Sequence, residues 1–470
     1  MMKSLSRIAV SDSPQDASGL GVLPQVAITS TARTRLKQLD VLRAVAVLLV
    51  LCSHVPSVAW LQRCGWIGVD LFFVLSGFVI AHTYLDRLGP ALQVAPTARF
   101  VWARACRIWP AYAVVFHLFG IWVVARLVWG SDDQVAFQAV QPVVSLPEYL
   151  QQLVLVQLWD SPFFDGASWV GSTWSISAEW LAYLLFPVAA LVFHRLRDLP
   201  VALLAAGSLA LMTPIAWAYL LTGSPYHPWS WAVRVLCGFG AGVLAHLVVR
   251  RLQSSASDQD GRASDRVRRW ASATAAALPL MIAAGLLAGE LVGPGRGGAV
   301  LVAFPVLIGA LALADRGPAM WLARPWAVRG GHVSYSLYLV HIPMFEVFWL
   351  AQEHFPQLLG RSTPWGHALG LAVLLLTLPV AALLHGLVEE PARQRLTRLC
   401  PTRMGIHRPE PAPSLTRPIV FIPAPVEPMR SAWGSAAVAP HPRRAGAALH
   451  RRIAPGSRTV TVTEYVQRVL

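Results

Sequence analysis

LDVLRAVAVLLVLCSHV, residues 39–55, decides the class of this chain. It is an aliphatic run with Asp40 and Arg43 near one end and Ser53 and His54 near the other. Read on to residue 60, it is long enough to cross a bilayer core, which takes about 20 residues. Comparable runs recur near 66–85, 108–129, 173–194, 199–222, 229–249, 271–292, 297–315, 332–351 and 366–388, so ten spans are expected. The composition agrees: 55% of residues are apolar and 13% charged, against roughly 25% charged in soluble domains. A soluble fold of 470 residues could not cover its surface with so few charges, and disorder over most of the chain is excluded on the same ground. The expected fold class is all-α, a polytopic bundle of membrane helices.

The net charge is +15, from 39 basic and 24 acidic residues. No zinc, RNA-recognition or helix-turn-helix pattern accompanies it, so no nucleic-acid partner is expected. The arginines follow the membrane instead. If residue 38 is cytoplasmic, fifteen basic residues fall in the inner loops and three (Arg63, Arg296, Arg361) in the outer ones, which places both termini inside. The five cysteines are scattered and form no CxxC pair, so neither a disulfide framework nor a metal site is expected. The first residues lack the apolar core of a cleavable signal, and the first span is expected to direct insertion. Residues 1–35 read as a polar cytoplasmic lead-in, 36–398 as the membrane domain, and 399–470, rich in Pro and Arg, as a disordered cytoplasmic tail. YLQQLVLVQLW, 149–159, is too short and polar to span. It reads as a helix lying on the membrane or packed within the 130–172 loop.

Ionisable side chains inside a bilayer are costly and mark function. Arg43 and His54 are eleven residues apart, about three turns and about 16 Å along one helix face. Arg43 can also be read as a snorkelling charge paired with Asp40. In GWIGVDLFFVLSGFVI, 65–80, Asp70 lies at a depth similar to His54, where a carboxylate could fix the tautomer of the imidazole; Gly68, Ser76 and Gly77 are small enough for close helix contact. In FVWARACRIWPAY, 100–112, Arg104 and Arg107 share a face if helical, could hold phosphate, and precede Pro110, which fits the opening of a helix. In STWSISAEWLAYLLFP, 172–187, Glu179 stands one turn after Ser175 and between Trp174 and Trp180, a carboxylate with aromatic walls of the kind sugars stack on. In HVSYSLYLVHIPMF, 332–345, His341 lies near mid-membrane. His117, His246 and His385 lack a comparable setting and read as structural. No P-loop, GxSxG, HExxH or GxGxxG context is present, which leaves chemistry run by His and carboxylates without a metal.

Taken in order, Arg43-x10-His54, GVDLFFVLSGF, RACRIWP, WSISAEW and SYSLYLVH resemble the acyltransferase-3 family over about 36–398. Its members are integral-membrane O-acyltransferases that modify surface polysaccharide, lipopolysaccharide or peptidoglycan, or small glycosylated molecules. The resemblance implies an acyl-CoA donor, usually acetyl-CoA, and a carbohydrate or glycoside acceptor in the bacterial inner membrane, with polysaccharide-assembly proteins as further partners beside membrane lipid. It makes His54 the leading catalytic candidate, with Asp70 and Glu179 as the acidic residues, and Arg104 and Arg107, with Arg43, as the donor-binding group. Ser175, Trp174 and His341 are the substrate-binding candidates. Family members often carry Arg just before Arg104, where this chain has Ala103, and Arg99 could substitute. A transporter with a His/carboxylate proton relay is the alternative; the absence of a clear inverted repeat weighs against it.

Overall fold

A computed structural model describes residues 28–54, 65–130, 134–257, 261–360 and 362–400. Residues 401–470 of the expected tail and residues 1–27 of the expected lead-in lie outside the described residues. The helices are α1 Ile28–Cys52, α2 Ile67–Leu88, α3 Val94–Trp129, α4 Leu146–Leu153, α5 Trp174–Leu196, α6 Val201–Thr222, α7 Ser230–Ser257, α8 Gly261–Val292, α9 Phe304–Leu313, α10 Pro325–His354, α11 Pro356–Leu359, α12 Pro364–Leu384 and α13 Glu390–Arg398. Short 3₁₀ segments precede α5, α9 and α10, and a π turn, His385–Glu389, joins α12 to α13. The described residues contain no strand.

Among the described residues nine helical segments are long and apolar enough to cross a membrane, and they match the second to tenth expected spans. The helix at the first expected span, α1, is not among the nine: even its last 18 residues, 35–52, include Arg35, Lys37, Asp40 and Arg43. It also starts earlier than expected, at Ile28, and stops at Cys52 rather than running to 60. Ser53 Oγ and His54 Nδ1 both bond to the carbonyl of Val50, at 2.6 and 2.8 Å, taking over an acceptor of the last helical turn.

Pro110 is also placed differently from the expectation. It lies inside α3, not at its opening, because the helix begins at Val94 and continues through it. The YLQQLVLVQLW segment is the packed alternative: α4 is held in the loop by Tyr112, whose hydroxyl donates to the Gln152 carbonyl at 2.8 Å, while Gln152 Oε1 accepts the Trp169 N–H at 2.8 Å. The same loop is tied to α10 by Glu346, a buried carboxylate that accepts the Phe137 N–H at 3.0 Å.

The core sits around α2 and α7, each 72% buried along its apolar window, whereas α8 and the α12–α13 segment are 11% buried. Exposed Leu280, Met281, Leu287 and Leu291 on α8, and Leu371, Leu375, Leu376 and Leu383 on α12, form the outward apolar faces of an integral membrane protein. Close contact of α2 with α7 depends on two glycines. A β-carbon at Gly242 would overlap the Val74 carbonyl oxygen, and one at Gly77 would overlap that of Phe239.

Candidate active site

Four helices, α1, α2, α5 and α10, surround a narrow cavity. Val47 and Val50 line it from α1, Phe72 from α2, Ser175 and Glu179 from α5, and Tyr338 from α10. The helices that carry His54, Asp70, Glu179 and His341 are therefore the ones that meet. The α1 backbone is gripped on two sides: a β-carbon at Gly68 would strike the Ala46 carbonyl, and one at Gly331 that of Asp40.

His54 stands one turn beyond Val50, at the end of α1. Its Nδ1 lies 2.8 Å from the Val50 carbonyl, which can only accept, so in the neutral ring the proton sits on Nδ1 and Nε2 carries the lone pair. Its ring is 5.2 Å from that of His341, 5.4 Å from Trp66 and 5.9 Å from Trp349, centroid to centroid. His341 is fully buried. Its Nδ1 is 2.6 Å from the Tyr338 carbonyl, and its Nε2 has no partner among the described residues. Tyr338 in turn bonds to Ser175 at 2.7 Å and donates to the Ser172 carbonyl at 3.0 Å.

Glu179, also buried, accepts from Ser76 at 2.6 Å and from Tyr183 on the same oxygen. Ser76 thus bonds to a carboxylate, while its neighbour Gly77 supplies the close contact that small residues at both positions lead one to expect. Tyr183 also lies under Arg104, whose guanidinium is 5.9 Å from its ring and 5.3 Å from the ring of Tyr84. Arg104 donates to the Tyr84 hydroxyl at 3.2 Å and keeps a buried Nε without a partner among the described residues. Its helical neighbour Arg107 is committed elsewhere: it is ion-paired with the buried carboxylate of Glu389, which also accepts from Ser336 at 2.6 Å. Arg43 pairs with Asp40 at 2.8 Å, as its alternative reading had it; with Arg104 it remains within electrostatic reach of Glu179. Of the three expected donor-binding arginines, Arg104 is the one that forms no ion pair with a carboxylate among the described residues.

Asp70 corrects an expectation. It does not fix the tautomer of His54, a task that falls to the Val50 carbonyl. Its two oxygens are taken by Arg234 of α7, from Nε at 2.8 Å and Nη2 at 3.0 Å, with both side chains 1% exposed. A bidentate guanidinium is the partner best able to hold a carboxylate out of water. Trp174, expected to face substrate beside Ser175, packs against Arg234, with its ring 5.2 Å from the guanidinium carbon. The sequence reading missed Arg234, Tyr183 and Glu389. Arg234 carries the same signal as Arg43, an arginine inside an apolar run, and Tyr183 stands one turn after Glu179 on the same helix. Of the histidines read as structural, His246 packs on Phe78 and His82, His117 bonds to the Ala113 carbonyl and Tyr149, and His385 bonds to Glu389.

Residues 36–384 match the family described as Acyltransferase domain. The chain is 27% identical over 428 residues to Acyltransferase MdmB of Streptomyces mycarofaciens, covering 82% of this chain and 98% of that protein. It is 30% identical over 154 residues to the provisionally named peptidoglycan O-acetyltransferase YrhL of Bacillus subtilis, covering 32% of this chain and 23% of that one. A provisionally named O-acetyltransferase of Staphylococcus aureus, SACOL0978, is 29% identical over 152 residues, 32% of this chain and 24% of its own length. No solved structure matches the chain.

Proposed function

The chain belongs to this acyltransferase family and is a membrane O-acyltransferase, and we propose that it moves an acyl group, acetyl in the simplest case, from acyl-CoA to a hydroxyl of a carbohydrate or glycosylated acceptor. The observation that carries this reading is His54: an imidazole with its Nδ1 proton committed to the carbonyl of Val50, one helical turn before it, a residue that itself lines the cavity between the four helices.

In this reaction the donor's phosphates stay at the Arg104 end, and the neutral arm of coenzyme A enters the cavity past Glu179. The family supplies the identity of the donor. What supports its place here is a guanidinium with a buried, unpartnered Nε, between two tyrosine rings and near the cavity carboxylate. His54 Nε2 takes the proton of the acceptor hydroxyl as that oxygen attacks the thioester carbonyl. The carbon–sulfur bond breaks, the imidazolium returns its proton to the departing thiolate, and an ester and free coenzyme A result. Glu179 accepts hydrogen bonds from the amides of the arm, while His341 offers a second ring nitrogen next to His54. Because acyl-CoA is cytoplasmic, this reading puts the Arg104 end on the cytoplasmic side of the bacterial inner membrane, with both termini on that side.

Purified protein in lipid discs, given acetyl-CoA labelled in the acetyl group and a panel of glycosides, tests the proposal. Label is expected in an alkali-labile ester on the glycoside, and none with His54→Gln. No acylated product in discs, with passage of unchanged label into sealed vesicles that carry the protein, would establish a transporter instead.

A further inference from the structure

Arg234 lies near the start of α7 with one side of its fork spent on Asp70. Its Nη2 also reaches the Trp66 carbonyl at 3.4 Å, while its Nη1 is buried with no partner among the described residues. The hydroxyl of Tyr226, in the segment between α6 and α7, is likewise buried and unpartnered, and its ring centroid is 5.5 Å from the Arg234 guanidinium carbon. The Tyr226 oxygen is itself an acceptor within reach of Arg234; once it takes one Nη1 N–H, the second Nη1 N–H and the Tyr226 O–H still lack acceptors, and since a buried donor left unpaired costs about 1–3 kcal/mol, the two mark a place built to receive oxygen atoms.

Aromatic faces enclose it. Phe164 lies 4.8 Å from both Trp174 and Tyr226, and Trp66 lies 6.1 Å from Tyr226 and 5.4 Å from His54. Trp66 therefore touches both the unpaired donors' neighbourhood and the proposed base. The balance of charge decides what kind of oxygen fits. Asp70 neutralises Arg234, so the free N–H donates without a net positive charge. Asp165, a further carboxylate, is within electrostatic reach of Tyr226 and opposes an anion. Tyr84, which meets Arg104, is fourteen residues further along α2 than Asp70, about 21 Å along the axis. The two ends of the site are thus separate, with His54 at this one.

We propose that Arg234, Tyr226 and the aromatic side chains around them form the acceptor subsite and that it takes a neutral sugar ring, its oxygens bonded by Arg234 Nη1 and the Tyr226 hydroxyl and its apolar face stacked on the aromatic wall. This deepens the acyl-transfer reading and rests on its carbohydrate acceptor.

The full chain in lipid discs is titrated with methyl glucoside and with its carboxylate counterpart, methyl glucuronoside, by saturation-transfer NMR. Transfer of label from acetyl-CoA and coenzyme A affinity are measured on the same samples. Tyr226→Phe removes one oxygen and leaves the Asp70–Arg234 pair in place; Arg234→Lys keeps the charge but gives up the bidentate pairing, so its binding is read only in samples that melt as the parent does. Each is expected to weaken methyl glucoside binding about five- to tenfold without changing coenzyme A affinity, and the glucuronoside is expected to bind more weakly than the glucoside. Equal glucoside binding by all three proteins overturns the subsite, because ordered water then satisfies the two donors; equal binding of the two sugars overturns its neutral selectivity. Binding that depends on Tyr226 with no ester formed keeps the subsite and removes the transfer reading. Ester formation indifferent to Tyr226 does the reverse.

Discussion

The imidazoles of His54 and His341 meet edge to face, with centroids 5.2 Å apart, and each commits its Nδ1 to a carbonyl of its own segment, Val50 for one and Tyr338 for the other. Two bases with the same tautomer thus stand together where α1 and α10 meet, each presenting Nε2 as an acceptor. A general base needs that lone pair, and here the backbone secures it without a carboxylate.

His54→Gln is therefore expected to lower acyl transfer by at least about a hundredfold while the protein still inserts and unfolds at an unchanged temperature. Steady-state transfer and a thermal unfolding curve on one preparation check this. Normal turnover in the folded variant would remove His54 from the chemistry.

Arg104 and Arg107 share a helix but not a role. Arg104→Ala is expected to weaken coenzyme A binding about tenfold, the effect of losing one charge-assisted contact of about 1.5 kcal/mol, with little change in stability. Arg107→Ala strands the buried Glu389 and is expected to cost about 2–3 kcal/mol of stability, at the low end for a broken ion pair because the guanidinium is part-exposed. Binding and melting measured side by side distinguish them; the opposite assignment of effects would refute this division.

Asp70 and Arg234 are both fully buried, so losing one partner leaves a charge in the core. Asp70→Ala alone is expected to destabilise by roughly 3–5 kcal/mol, whereas the double change Asp70→Leu with Arg234→Met recovers most of that loss. Denaturation of the two variants in the same detergent reads the difference. Additive losses would mean that the pair is not the unit described.

Gly242→Ala is expected to destabilise the bundle by more than the roughly 1–3 kcal/mol typical of overpacking, because the added methyl meets the rigid Val74 carbonyl rather than a movable side chain. Gly309→Ala serves as the comparison: its β-carbon would stand in ordinary contact with Val249, at 3.5 Å, and little change is expected. Similar losses at both positions would contradict the close approach of α2 and α7.

The membrane class and nine of the ten spans were legible in the sequence, because length and apolarity alone decide whether a helix can cross a bilayer. The sequence also marked the helices that carry ionisable residues, since charge tolerated in an apolar run implies a polar interior. What the sequence could not decide was pairing. Asp70 and His54 lie at similar depth on adjacent helices, yet Asp70 turns to Arg234, 164 residues away, and Arg107 turns to Glu389 at the far end of the chain's last described span. Depth in the membrane follows from counting residues along one helix. The direction in which a side chain points depends on how each helix is rotated against its neighbours, and contacts such as those at Gly68, Gly77, Gly242 and Gly331 set that rotation only once the bundle is assembled.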